Sequence, residues 1–111
     1  MQSTRLQKLL DFHAAEPNDA FLKYALATEY IALNDFNTAL IYFEDLILNH
    51  KDYVGTYYHL GALYEKLDRK NDAVKTYQQG MQVARSVGDN HAYSELQTVY
   101  NSAIGLNYED D

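Results

Sequence analysis

The sequence contains no cysteine and a single proline, and it has no long run of apolar residues. Without cysteine, the chain cannot form a disulfide framework, a thiolate metal site or a cysteine nucleophile. No apolar run approaches the ~20 residues that span a bilayer. The opening segment MQSTRLQKLLDFH has no uninterrupted apolar core and no small-residue cleavage site. These absences predict a soluble protein with no membrane partner, and we expect it to be cytoplasmic.

Basic residues are also scarce. Nine Lys and Arg are set against sixteen Asp and Glu, which gives a net charge of −7 over 111 residues. A chain of this charge repels phosphate backbones, so no nucleic acid partner is expected. Hydrophobic residues nevertheless make up 47% of the chain, as in a compact globular domain that buries its own core.

What the sequence does contain is an internal repeat. The segments YALATEYIALNDFNTALIYFE and YHLGALYEKLDRKNDAVKTYQ align at an offset of 34 residues. The offset matches Leu26 with Leu60, Tyr30 with Tyr64, Leu33 with Leu67, Asn37 with Asn71 and Ala39 with Ala73. Within each copy, apolar residues recur every three or four positions, which predicts helices. The polar breaks at Asn34-Asp35 and Asp68-Arg69 predict a hairpin turn in each copy.

The repeat resembles the tetratricopeptide repeat, a helix-turn-helix unit of 34 residues. Its first helix carries an aromatic residue, Leu, a small residue and Tyr, and its second carries Ala and an aromatic residue. The second copy supplies Tyr57, Leu60, Gly61, Tyr64, Ala73 and Tyr77, and the first supplies Leu26, Ala27, Tyr30, Ala39 and Phe43. The departures are Lys23 in place of the first aromatic residue, Gly80 in place of Ala, and Lys51 and Arg85 in place of Pro.

The resemblance implies an all-α fold, a right-handed superhelical stack of antiparallel helix pairs with about six helices in a single domain over residues 1–111. Its parts are a leading half-repeat helix, two full repeats, a capping helix and a frayed acidic tail, at residues 3–15, 20–53, 54–87, 89–105 and 107–111. Ala27, Gly61, Ala39 and Ala73 are expected where helices approach closely. Tyr30, Tyr64, Phe43 and Tyr77 are expected to fill the spaces between hairpins.

Members of this family generally bind peptide segments or helices of other proteins in a concave groove. The resemblance therefore implies a non-catalytic interaction module or adaptor with an unidentified protein or peptide partner. The family's groove positions correspond to Phe21, Tyr24, Thr28, Ile31, Tyr58, His59, Ala62, Glu65 and Tyr93, with Asp89 beside them. Tyr24 and Tyr58 share one position of the repeat and suggest a pair of aromatic anchors. Aromatic residues that only shield neighbouring backbone would give the same pattern.

The family's best-known ligands are chaperone C-termini that end in acidic residues and are held by Lys, Asn and Arg. The matching positions here carry Tyr24, Thr28, His59, Asp89 and Tyr93, with no Lys or Arg. An acidic ligand would meet no compensating charge. We therefore expect a neutral or basic ligand with apolar anchors.

The outer face of the first copy raises an alternative, a structural and self-associating protein. Ile41 and Leu48 match Lys75 and Gln82, so a surface that is polar in the second copy is apolar in the first. The N-terminal helix is expected to cover this patch. Otherwise Leu6, Ile41 and Leu48 could pair two chains, so the protein is expected to be a monomer or a weak homodimer.

The sequence offers no enzyme constellation. The histidines at 13, 50, 59 and 91 form no HExxH motif and no i, i+4 pair, and Glu65 near His59 forms no recognisable acid-base arrangement. No glycine lies in a phosphate-binding loop. We therefore expect no enzymatic activity, no metal and no cofactor.

Overall fold

The computed structural model describes residues 4–105, and these residues form six α-helices. The helices are α1 (Thr4–Ala15), α2 (Ala20–Ala32), α3 (Phe36–Asn49), α4 (Gly55–Lys66), α5 (Lys70–Val87) and α6 (Asn90–Ala103). The all-α prediction is confirmed. The predicted acidic tail, residues 107–111, lies outside the described residues. The chain divides into two compact units between Tyr53 and Val54, which is also the boundary between the two predicted repeats.

The same turn closes both helical hairpins. Asn34 follows α2 and Asp68 follows α4, and both adopt a φ of 62°, in the left-handed region that Asn and Asp tolerate better than most residues. The next N–H in each turn reaches back to a helix carbonyl, from Asp35 to Tyr30 (2.9 Å) and from Arg69 to Tyr64 (2.8 Å). These bonds satisfy carbonyls at the helix ends. Each hairpin therefore turns at the polar break that the sequence predicted.

In the first unit, α2 packs on both α1 and α3. Leu6 and Leu9 of α1 are buried against Ala25 and Leu26 of α2. The prediction that the N-terminal helix covers Ile41 and Leu48 is wrong. Their side chains are 65% and 80% exposed, because the leucines of α1 face α2 instead.

In the second unit, the ring of Tyr77 on α5 lies across Gly61 on α4. A Cβ atom at Gly61 would lie 2.1 Å from Cε1 of Tyr77, so only glycine leaves room for this ring. The Tyr77 hydroxyl donates to Glu65 Oε2 (2.6 Å). Burial raises the pKa of Tyr77, and the Glu65 carboxylate raises it further. Tyr77 thus fills space within its own hairpin rather than the space between hairpins that the sequence predicts.

The first copy has Ala27, Phe43 and Ile31 at the positions that match Gly61, Tyr77 and Glu65. Phe43 has no hydroxyl, so it needs no acceptor at Ile31, and Ala27 carries a small side chain where Gly61 has none. Ala27 and Phe43 are both fully buried. The three differences between the copies therefore belong to one packing arrangement.

Helix α6 follows α5 at a longer spacing than the 34-residue repeat. Helix α5 has 18 residues where α3 has 14. It ends at Gly88, whose φ of 77° favours glycine. Asp89 then begins α6, since its side chain accepts from the Ala92 N–H (3.0 Å). Leu96 is 1% exposed and matches the buried Leu60 of α4 at an offset of 36 residues in the sequence.

Candidate functional site

The predicted groove residues of the first unit lie along α2. Phe21 is 57% exposed, whereas Tyr24, Thr28 and Ile31 are partly buried. The Tyr24 ring packs against the ring of Tyr53, with centroids 5.6 Å apart. Burial raises the pKa of Tyr24, and Tyr53 adds to the increase. The predicted anchor Tyr24 is therefore part of an aromatic pair, and its partner Tyr53 was missed by the sequence analysis.

Lys23, which replaces an aromatic residue of the repeat, is buried beside Tyr24. Its Nζ lies 2.8 Å from Asp45 Oδ2 and 3.4 Å from His50 Nε2. Burial alone would raise the pKa of Asp45, but hydrogen bonds from Lys23 and Asn49 outweigh it and the pKa is lowered. Because Lys23 is committed to this pair, it offers no charge to a ligand at α2.

In the second unit, a cleft of about 220 Å³ lies between α4 and α6. It is lined by Val54, Gly55, Tyr58, Asp89, His91, Ala92, Glu95 and Leu96. Tyr58 is 38% exposed, and its ring meets His59 edge-on at 5.6 Å. The lining includes two carboxylates and no Lys or Arg. An apolar group can therefore pack on Tyr58 while a cationic group lies near Asp89 and Glu95.

Glu95 lines this cleft, although it is not among the groove residues predicted from the sequence. His91 Nε2 lies 3.3 Å from Glu95 Oε2, so the two form an ion pair when His91 is protonated. Burial lowers the pKa of His59, and the charge of Glu95 opposes this shift without overcoming it. His59 is therefore mostly neutral at pH 7, and the cleft keeps its negative character.

The other three predicted groove residues of α4, His59, Ala62 and Glu65, do not line this cleft, and His59 is partly buried. Ala62 and Glu65 are both exposed, and Glu65 already accepts the Tyr77 hydroxyl. The position of Glu65 is thus explained by packing of the hairpin.

Tyr93 lies on the opposite side of α6, facing α5. Arg85 donates to the Tyr93 hydroxyl (2.7 Å), and its guanidinium lies 4.8 Å from the Tyr93 ring centroid. Both residues line a second cleft of about 350 Å³ with Gln78, Met81, Gln82 and Tyr100. At an offset of 36 residues Tyr93 matches the packing residue Tyr57, and Ser94 matches Tyr58. The sequence signal for this shift was the pairing of Leu60 with Leu96 and of Tyr64 with Tyr100.

Among residues 4–105, no three His, Asp or Glu side chains come together in an arrangement that could hold a metal ion. No helix between Thr4 and Ala103 is long and apolar enough to cross a membrane.

Comparison with known proteins identifies similar chains. A family profile of the tetratricopeptide repeat matches residues 54–86. The solution NMR structure of a tetratricopeptide repeat domain protein from Salinibacter ruber is 49% identical, covering 84% of this chain and 94% of that chain, with a TM-score of 0.79. A crystal structure of a Salinibacter ruber tetratricopeptide repeat domain protein is 50% identical, with coverages of 80% and 99% and a TM-score of 0.75.

A more distant structure shares the fold alone. A protein from Bordetella parapertussis is 21% identical, with coverages of 94% and 90% and a TM-score of 0.78. The search of curated proteins found no match.

Proposed function

The chain belongs to the tetratricopeptide repeat family, and from this premise we propose that it is a non-catalytic interaction module that binds a segment of another protein. The fold suggests protein–protein interaction in general, and the ligand must be argued from the surface residues. We propose a peptide segment or helix that is neutral or basic and carries an apolar anchor.

The cleft beside Tyr58 is the observation that carries this proposal. Its lining combines a partly exposed aromatic ring with Asp89 and Glu95 and contains no Lys or Arg. An acidic ligand would meet like charges, whereas Lys or Arg next to an apolar side chain would gain both contacts. The groove residues of α2, which are Phe21, Tyr24, Thr28 and Ile31, remain predicted peptide contacts of the first unit.

The test uses three capped peptides that share one apolar core containing tryptophan. Their flanks carry Lys and Arg, Ser and Gln, or Asp and Glu. Titration calorimetry should rank the basic peptide first and the acidic peptide last. Tyr58→Ala should weaken binding of the basic peptide by about tenfold. Truncation of a partly buried aromatic anchor often lowers the binding free energy by about 1 kcal/mol or more.

Charge variants separate the electrostatic part of the proposal. Glu95→Gln and Asp89→Asn should each weaken binding of the basic peptide and leave binding of the neutral peptide unchanged. Asp89→Asn keeps an oxygen that caps α6, so the helix start is preserved. Gln79→Ala, on the exposed side of α5, is the control, and circular dichroism checks every fold. Preference for the acidic peptide, or binding that ignores Tyr58→Ala, would refute the assignment of this cleft.

A second candidate is self-association through the outer face of α3. The exposure of Ile41 and Leu48 favours it. Leu6 does not belong to this surface, because it is 3% exposed and packs on α2. Replacement of Leu48 by Ser should lower the average mass in solution if this face pairs two chains.

A further inference from the structure

One face of α1 is exposed along its whole length. It carries Arg5, Lys8, Phe12 and Ala15, which recur every three or four residues, and Glu16 follows directly after the helix on the same side; all five are exposed. We call this set the α1 strip. Phe12 lies at its centre and is 60% exposed, and Phe21 at the start of α2 is 57% exposed. Two exposed phenylalanines on one short helical pair are unusual for a surface that only faces water.

Two clefts meet along this strip at Leu9 and Phe12. The first, of about 430 Å³, is also lined by Thr4, Arg5 and Lys8. The second, of about 450 Å³, is also lined by Ala15, Glu16, Asp19, Phe21 and Leu22. The surface is thus apolar at its centre, basic at one end and acidic at the other.

A helix of this fold can pack against two neighbouring helices, as α5 does in the second unit. Helix α5 packs on α4 and on α6, whereas α1 packs on α2. All residues of the strip are exposed, so this side of α1 has room for a further helix. The charges of the strip indicate which helix fits.

The charges are arranged symmetrically about Phe12. Lys8 lies one turn before Phe12, about 6 Å along the helix axis. Glu16, the first residue after the helix, donates its N–H to the Phe12 carbonyl (2.9 Å) and so lies about one turn beyond Phe12. A two-fold rotation about Phe12 therefore places Lys8 of each copy opposite Glu16 of the other, which gives two ion pairs per dimer. Leu9 and Ala15 exchange places in the same way. Neither Lys8 nor Glu16 has a salt-bridge partner within residues 4–105.

The outer charges, Arg5 and Asp19, are equally far from Phe12 in sequence, but both are already engaged. Arg5 binds Glu29 at 3.0 Å, and Asp19 caps α2 by accepting from the Leu22 N–H at 3.0 Å. They add favourable potential at the two ends of the strip. Lys8 and Glu16 are the pair that can form without breaking a bond inside one chain.

We propose that two copies of the chain associate through their α1 strips, with the helices antiparallel and Phe12 packed against Phe12 of the second copy. The apolar contact supplies the affinity, and the Lys8–Glu16 pairs fix the register, because exposed ion pairs are individually weak. The face of α3 lacks this complementarity. Glu44 lies between Ile41 and Leu48, and a two-fold pairing there would bring carboxylates together.

The test is analytical ultracentrifugation of the whole chain over micromolar to millimolar concentrations. The wild type should show a monomer–dimer equilibrium. Phe12→Ala should raise the dimer Kd at least about tenfold, since it removes the central aromatic contact from both copies. Ile41→Ser and Leu48→Ser distinguish this dimer from one paired through α3. They should leave the dimer Kd unchanged if the α1 strips pair the chains, and Gln79→Ala, at an exposed position of α5, is the control for both surfaces.

Charge reversal tests the register. Lys8→Glu and Glu16→Lys should each weaken the dimer, because each sets like charges against each other twice. An equal mixture of these two variants should associate again, and so should the double variant that carries both changes, whose net charge equals that of the wild type. Net charge alone would instead make Glu16→Lys, the least acidic variant, associate best.

Three results would overturn the proposal. One is a wild-type chain that stays monomeric at millimolar concentration. Another is a dimer that survives Phe12→Ala but is lost in Leu48→Ser, and the third is a mixture of charge variants that does not associate. Circular dichroism of each variant confirms that it is folded. Because no peptide is used, these results are independent of the proposed ligand cleft.

Discussion

At the scale of single residues, Lys23 changes how its copy of the repeat is held together. The second copy has Tyr57 at this position, which is 3% exposed and packs in the core. The first copy instead buries the ammonium group of Lys23 against Asp45 and His50. A polar contact between α2 and α3 therefore replaces an aromatic one, and its strength depends on the charge of Asp45.

We predict that Lys23→Met lowers the free energy of unfolding by about 1–2 kcal/mol at neutral pH. This is less than the 3–5 kcal/mol that is typical when a buried charge loses its partner, because Asp45 remains 35% exposed and can be hydrated. Urea unfolding monitored by circular dichroism measures the difference. Lys75→Met, at an exposed position, is the control and should change stability by less than about 0.5 kcal/mol.

The stability difference between the wild type and Lys23→Met should depend on pH in a defined direction. The pKa of Asp45 is lowered in the folded state, so its contribution is complete above the unfolded pKa of about 4 and is lost as the pH falls through the folded value. The gap between the wild type and Lys23→Met should therefore narrow below about pH 4. A gap that stays constant down to about pH 2.5 would show that the ion pair is not its source.

The residue pattern predicted which positions are buried but not every reason for their identity. Ala27, Gly61, Ala39 and Ala73 are buried, as their spacing indicated. Glu65 was assigned to the groove because the sequence does not show that the Tyr77 hydroxyl reaches it. Such contacts join residues on different helices, and one sequence without its structure does not specify them.

At the scale of helices, α5 is packed closely from two sides at Gly80. A Cβ atom there would lie 2.4 Å from Cβ of Tyr57 on α4 and 3.0 Å from Cδ1 of Leu96 on α6. Because the first neighbour is a side-chain atom fixed to the backbone, it cannot move away without shifting α4. Gly80 therefore sets how closely the three helices of this unit approach one another.

We predict that Gly80→Ala destabilises the protein by about 1–3 kcal/mol through overpacking. Helix propensity alone predicts the opposite sign, a gain of about 0.5–1 kcal/mol. The sign measured by urea unfolding therefore decides between the two effects. Gln79→Ala, on the exposed side of the same helix, should be neutral within about 0.5 kcal/mol. A stabilised Gly80→Ala variant would contradict the close approach of the helices.

The 34-residue period predicted the helices of both hairpins, and a helix lies where the capping helix was predicted, but the spacing changes before α6. Helix α5 continues to Val87, and the spacing to the next copy becomes 36 residues. A constant period therefore placed Tyr93 in the groove, although its side chain faces Arg85. The prediction that α1 covers the outer face of α3 is wrong for a different reason. Its leucine stripe could cover either α2 or α3, and apolar spacing alone does not select the partner.

At the scale of the whole molecule, the net charge of −7 opposes compaction. Exposed ion pairs such as Arg69–Asp72, 2.8 Å apart, offset little of this repulsion because water and salt screen them. The excess carboxylates therefore repel one another throughout the chain and lower its stability without acting at one particular site. Added salt should weaken this repulsion.

We predict that raising sodium chloride from low to physiological concentration stabilises the chain by up to about 1 kcal/mol, because screening reduces the self-repulsion. Urea is the denaturant of choice, since guanidinium chloride is itself a salt. Asp52→Lys, at an exposed position, reduces the net negative charge and should show a weaker salt dependence. Stability that falls with salt would mean that specific ion pairs outweigh the net repulsion.

The cleft beside Tyr58 has an optical consequence. The chain contains eleven tyrosines and no tryptophan. A tryptophan carried by a bound peptide is therefore the sole indole fluorophore in the complex and can be excited separately from tyrosine. When that indole leaves water and packs on the Tyr58 ring, its emission should change. Occupancy of the cleft can then be followed by fluorescence without attaching a dye to the protein.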